Sequence, residues 1–172
     1  NDIHEELTVK ALLSGHNVIC EKPATLSVES FDRMVEAANK QGKVFSVHQN
    51  RRWDTEFLAI KSAVENHEIG DLIRIENRVH GSRGIPGDWR KEKAFGGGMI
   101  YDWGVHLIDQ TLQIIPEKII EINCVNTHIT NTEVDDGFRL ELTFESGKTA
   151  LVEVGTYNFL QLPRFYMQCE NG

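Results

Sequence analysis

The first 48 residues spell helix, strand, helix, strand, and this order restricts the fold more than any other feature of the chain. Asp2 can cap a helix running to about Ser14, with Leu7, Ala11 and Leu12 on one face and Gly15 at its end. Asn17-Val18-Ile19-Cys20 is a short apolar run between turn residues, which predicts a buried strand. Ser27 caps a second helix with Phe31, Met34, Val35 and Ala38 spaced for burial and Gly42 as its stop, and Lys43–Val47 reads as the next strand. Two strands joined through a helix make a parallel βαβ unit, the mark of an α/β sheet.

The pattern changes at residue 51. A helix from about Thr55 to Asn66 ends at Gly70, and Leu72–His80 then alternates, with Ile73, Ile75, Asn77 and Val79 facing inward against Arg74, Glu76 and Arg78. A long loop from Gly81 to Gly98 leads into a helix over Met99–Ile115. Strand-like segments follow at Lys118–Thr130, Gly137–Glu145, Thr149–Tyr157 and Arg164–Glu170, with a hairpin turn at Glu145–Lys148. The expected fold is α/β followed by α+β: residues 1–50 as the C-terminal part of a Rossmann domain, and residues 51–172 as an α+β domain with an open, mainly antiparallel sheet. Val125, Ile129, Leu140, Leu142, Phe144, Leu151 and Val154 suggest an apolar outer face on that sheet, hence a homo-oligomer.

A net charge of −8 argues against binding to nucleic acid or to an anionic membrane. No apolar run is long enough to span a bilayer and no signal peptide opens the chain. Cys20, Cys124 and Cys169 are odd in number and show no metal spacing, as expected of reduced thiols in a cytoplasmic protein.

Two segments carry candidate chemistry. Glu21-Lys22-Pro23 follows the first strand, and ligands of α/β sheets sit beyond the carboxyl ends of the strands. Taken alone, an ordinary surface turn is the better reading there. The second segment runs from Gly96 to Asp109. On a helix Asp102, His106, Asp109 and Gln113 share one face, opposite Ile100, Leu107, Ile108, Ile114 and Ile115. Such a stripe is either a solvated face or, beside three glycines, a site. Gly104 within the helix suggests close packing. Asp102, His106 and Asp109 could also ligate a metal as part of an isomerase or hydrolase. His67, His80, His128 and the Asp135-Asp136 pair are isolated in sequence, however, and supply no second cluster; no metal is expected.

Together, Glu-Lys-Pro after a strand and the later Gly-Gly-Gly-x-x-x-Asp-x-Gly-x-His-x-x-Asp resemble the Gfo/Idh/MocA oxidoreductases, the family of glucose–fructose oxidoreductase and inositol 2-dehydrogenase. Asn1 to His4 and the Trp89-Arg90 pair extend the resemblance over nearly the whole chain. It implies a Rossmann domain followed by a domain with a large open sheet, and hydride transfer between a secondary alcohol of a sugar or polyol and NAD or NADP. It implies His106 as the proton-transfer group, Lys22 as the cation at the developing alkoxide, and Asp102 as the residue orienting the substrate hydroxyl. It places Asn1, Glu21, Lys22, Pro23, Trp89 and Arg90 near the cofactor, and Asn50, Arg52 (or Arg51) and Tyr157 near the substrate, and it points to a cis Lys22–Pro23 bond. A sugar- or nucleotide-binding sensor of the same lineage, needing neither lysine nor histidine, is the alternative. Family members carry a Gly-rich phosphate loop upstream of the region matched here. The sequence holds no Gly-x-Gly-x-x-Gly, so an internal, catalytically silent piece lacking both ends is expected.

Overall fold

The computed structural model describes residues 1–172. His4–Leu13 (α1), Val18–Cys20 (β1), Val28–Gln41 (α2) and Phe45–Val47 (β2) follow in the expected order. β1 and β2 pair in parallel, with Val18 opposite Phe45 and Cys20 opposite Val47. Ser27 caps α2 by accepting the Ser30 N–H at 3.2 Å, and Gly42 closes it. Leu12, Ala37 and Ala38 bury together against Val9, Val18 and Phe45, fastening both helices to one face of the strand pair. The other face is bare, so Ile19 is 75% exposed and β1 is not the fully buried strand expected. Asp2 does not cap α1 either: Ile3 occupies that position and no side chain closes the helix start.

Beyond a short 3-10 turn at Asn50–Trp53 lie Thr55–Glu65 (α3), Leu72–His80 (β3), Val105–Ile114 (α4), Ile119–Thr127 (β4), Gly137–Phe144 (β5), Thr149–Gly155 (β6) and Phe165–Cys169 (β7). The five strands form one sheet in the order β4-β5-β6-β3-β7. β3 and β6 run parallel and the other three pairs are antiparallel. A register shift between Leu72 and Arg74 re-aims the start of β3. Leu72 is therefore buried and Ile73 exposed, contrary to strict alternation.

α3 and α4 cover one face of this sheet. Phe57 and Leu107 from the helices meet Ile75, Leu140, Leu142, Phe144, Val152 and Val154 from the strands in a single core. Burying a side chain such as Phe144 or Ile75 contributes roughly 1.5–3 kcal/mol, so this core dominates the stability of the second half. The same packing corrects the expected oligomer face. Leu140, Leu142, Phe144 and Val154 point into the core, because the period-two pleat and the register Leu140–Val152 put them on the helix side. The outer face instead carries Arg74, Glu76, Arg139, Glu141 and Glu153 around Leu151, with ion pairs from Arg74 to Glu76 and from Arg139 to Glu141. No helix is long and apolar enough to cross a membrane, and all three cysteines are free thiols.

The helix expected over Met99–Ile115 is two segments. Ile100–Gly104 is a π-helical turn, and α4 begins after it. Asp135 accepts the N–H groups of Met99 and Ile100 at 2.9 and 3.0 Å and so anchors the start of the turn. A Cβ on Gly104 would lie 3.0 Å from the Phe138 ring, which accounts for glycine at this position.

Candidate active site

Lys22 lies two residues beyond β1 and follows its strand out of the small sheet, next to a cis Lys22–Pro23 bond. Its ammonium donates to Asp102 Oδ1 at 2.8 Å and to the Asp102 carbonyl at 2.9 Å. The other carboxylate oxygen of Asp102 accepts from Arg90 Nε at 2.7 Å. Arg90 is itself held by Asp88 at 2.7 Å and lies 4.5 Å over the Trp89 ring. The π-turn presents Asp102 inward, and its side chain is only 8% exposed. Burial pushes the Asp102 carboxyl up, but hydrogen bonds from Arg90 and Lys22 outweigh burial and hold it below the usual range. The carboxylate is therefore a fixed anion between two cations.

His106 follows one turn later, 4% exposed and edge-on to Trp103 with ring centroids 6.2 Å apart. Its Nδ1 lies 3.0 Å from Gln49 Oε1. Burial, followed by the positive charges of Lys22 and Arg51, lowers its pKa to about 4, so the imidazole is neutral at physiological pH. The Arg51 guanidinium stacks 4.5 Å over Trp103, and the Arg51 carbonyl accepts from Gln110 Nε2 at 2.6 Å. A cavity of about 450 Å³ opens beside Asp102, lined also by His80, Arg83, Met99, Trp103 and Gln161.

Lys22, Asp102, Arg90 and His106 thus come together from three separate stretches of chain. The stripe is buried, and the reading of a solvated helix face is set aside for Asp102 and His106. Trp89 reaches the group through Arg90. Asn1 donates its side-chain amide to the Gly96 carbonyl at 3.0 Å, tying the first residue to the glycine run. The Pro23 carbonyl lies 2.7 Å from His4 Nδ1, and Glu21 pairs with His48 at 2.8 Å on the surface. Arg52 makes a two-point pair with Asp109 at 2.5 and 2.8 Å, which explains the position of Asp109 in the stripe. Asn50 starts the 3-10 turn and is exposed. Tyr157 packs edge-on against Phe159 and lines a different cavity, with Ile129 and Arg139. The metal alternative needs Asp102 and Asp109 to converge on His106. Both carboxylates instead face cations, Lys22 and Arg90 for one and Arg52 for the other.

Sequence reasoning passed over Gln49 and weighed Asp135 only as part of an isolated acidic pair. A signal for Gln49 existed: Cys20 and Val47 are register partners at the ends of parallel strands, and Lys22 and Gln49 each lie two residues beyond them. Asp135, distant in sequence from the helix start it anchors, left no local trace.

A family model described as the GFO/IDH/MocA C-terminal domain matches residues 57–172, and one described as the NAD-binding Rossmann fold of an oxidoreductase family matches residues 1–49. The chain is 33% identical over 147 residues to an uncharacterized oxidoreductase of Schizosaccharomyces pombe, covering 83% of this chain and 40% of that protein. It is 33% identical over 144 residues to the scyllo-inositol 2-dehydrogenase (NADP(+)) of Bacillus subtilis, again covering 83% and 40%. Among solved structures, an NAD-binding protein from Listeria innocua superposes with a TM-score of 0.96 at 48% identity, over 99% of this chain and 49% of that one. The chain spans less than half the length of these relatives.

Proposed function

The chain belongs to the GFO/IDH/MocA oxidoreductase family, and from that premise we propose that it carries the proton-transfer half of a sugar or polyol dehydrogenase that works with NAD or NADP. The observation that supports this most is the grouping of Lys22, Asp102 and His106 at the carboxyl end of the β1–β2 pair. Neutral His106 takes the proton of a secondary hydroxyl, and the Lys22 charge stabilises the oxygen as it becomes negative. Asp102 holds Lys22 and Arg90 in place; with both its oxygens engaged, it acts on the substrate through Lys22. Glu21, Pro23, Trp89, Arg90 and Asn1 border the place for the nicotinamide end of the cofactor, and Asn50, Arg52 and Tyr157 remain the proposed substrate contacts. When bound, the nicotinamide supplies or accepts the hydride. The donor set fits this role, since Lys22 and Arg90 against one carboxylate leave net positive charge where an alkoxide forms.

The test is steady-state oxidation of an inositol panel by the full-length enzyme with NAD and with NADP. His106→Ala and Lys22→Ala are each expected to lower kcat by about 10²-fold or more; an undiminished rate in His106→Ala would end the reading. A homo-oligomer stays within the proposal, on different ground. β4 is an edge strand with Ile120, Ile122 and Val125 exposed, a surface suited to pairing with a second copy. Light scattering that shows a monomer at high concentration would remove it.

A further inference from the structure

We propose that Gln49 is a positioning residue that sets the tautomer of His106, holding the proton on Nδ1 and leaving Nε2 as the nitrogen that exchanges protons with substrate. The proposal deepens the dehydrogenase reading and rests on it for its functional meaning. Gln49 lies two residues past β2, where the backbone leaves the small sheet, and its N–H donates to the Val47 carbonyl at 2.9 Å. The side chain is thereby carried to the imidazole, and its Oε1 stands 3.0 Å from His106 Nδ1. An imidazole can be a base at one nitrogen only if the other holds its proton, and the partner of that other nitrogen decides which is which.

The partner's chemistry matters as much as its position. Many imidazoles are oriented by a carboxylate, which also favours the charged ring. Gln49 accepts a hydrogen bond but carries no charge. The charged groups around the ring are Lys22 from the β1 loop, Arg51 from the 3-10 turn, Asp54 at the start of α3, and Asp102 from the π-turn. Asp102 is already committed to Lys22 and Arg90, and Asp54 to Arg51 and Arg164. An amide at Nδ1 therefore orients the ring without drawing a second proton onto it. The base is kept in its accepting form, and a proton taken from substrate is passed on rather than stored.

Long-range proton–nitrogen NMR of this chain labelled at histidine reads the tautomer directly, with no substrate or cofactor. The expected result is a protonated Nδ1 and an unprotonated Nε2 on His106 at neutral pH. In Gln49→Ala the ring should move toward the preference of free imidazole for a proton on Nε2. Gln49→Glu, which keeps shape and acceptor, should retain the Nδ1–H tautomer and raise the His106 midpoint from about 4 by about 1–3 units. A wild-type ring protonated on Nε2, an unchanged tautomer in Gln49→Ala, or an unmoved midpoint in Gln49→Glu would each overturn the proposal. The readout is the ring itself, so this failure is distinct from that of the dehydrogenase reading, which depends on turnover in His106→Ala.

Discussion

Lys22 and Asp102, 80 positions apart in the chain, meet at 2.8 Å, and the lysine binds both the carboxylate and the carbonyl of the same residue. This contact joins the β1–β2 unit to the π-turn ahead of α4. It lies where both side chains are largely shielded, at 17% and 8% exposure. An ion pair in that setting carries a desolvation cost that its attraction does little more than offset, but removing one partner is strongly destabilising because the other charge is left uncompensated.

Asp102→Asn should therefore destabilise the chain more than Lys22→Met. The first change leaves Lys22 with no carboxylate partner and Arg90 with Asp88 alone, whereas the second leaves Asp102 with Arg90 still 2.7 Å away. A cost of about 3 kcal/mol is expected for Asp102→Asn, with a clearly smaller one for Lys22→Met. Urea unfolding of the two variants checks the order, and equal costs would contradict the clamp.

Gly98 adopts φ +103, and a Cβ there would come 2.2 Å from Asp135 Oδ1, the side chain that anchors the π-turn. Gly98→Ala should cost about 2 kcal/mol or more from backbone strain alone, and should also displace Asp135. Gly147 has φ +86 but open space around it. Gly147→Ala should show only the left-handed penalty of about 1–2 kcal/mol. Thermal unfolding of both should separate the two costs.

Metal ions should not matter to this site. Asp102 and Asp109 are engaged by arginine and lysine, and a divalent ion would have to displace those partners first. Incubation with a chelator, followed by zinc or magnesium titration, should leave the melting temperature of the chain unchanged. A saturable rise in melting temperature lost in His106→Ala would revive a metal-dependent reading.

A polypeptide of these 172 residues should show no saturable binding of NADH at micromolar concentration, followed by nicotinamide fluorescence. A pyrophosphate is normally gripped by the N–H groups of a Gly-rich turn at a helix start. The N–H groups of the one glycine run here are already spent, those of Gly96, Gly97 and Gly98 donating to the carbonyls of Lys93, Glu92 and Arg90. Saturable binding would mean that Trp89, Arg90 and Lys22 suffice to hold the cofactor.

Much of this was legible in the residues. Periodicity located every strand and α-helix to within a few positions, because each long element buries one face against a neighbour, but it gave no sign of the 3-10 turns or of the π-turn. Ile19 and Ile73 misled for the same reason: an apolar residue says that burial is favourable, not that a partner surface exists or that the register reaches it. The outer-face reading of Leu140, Leu142 and Phe144 failed because a list of apolar strand residues does not say which face the helices cover. For the site, spacing alone put Asp102 and His106 on one stripe, but their burial depended on Lys22, Gln49 and Arg90 arriving from elsewhere. Those contacts follow from the parallel pairing of β1 and β2, which the helix–strand order makes legible, and from the π-turn, which has no local signature.

The buried imidazole of His106 should make stability fall on mild acidification. Its pKa in the folded chain is about 4, against an ordinary value of 6.5. Between these two values the unfolded chain binds a proton that the folded chain refuses. The stability that depends on the neutral ring is therefore complete above pH 6.5 and is lost as pH falls toward 4. By pH 5 the loss is about 2 kcal/mol. Asp102 acts in the same sense, but its carboxyl is held below 3.8, so its loss comes at lower pH and leaves this window clear. Urea unfolding of the wild-type chain and of His106→Asn at pH 7.5 and pH 5 isolates the effect, since the other histidines are common to both. The wild type should lose about 2 kcal/mol more than the variant over that interval. Parallel losses would mean that the ring takes up its proton without penalty, and that neither burial nor the charges of Lys22 and Arg51 hold it neutral.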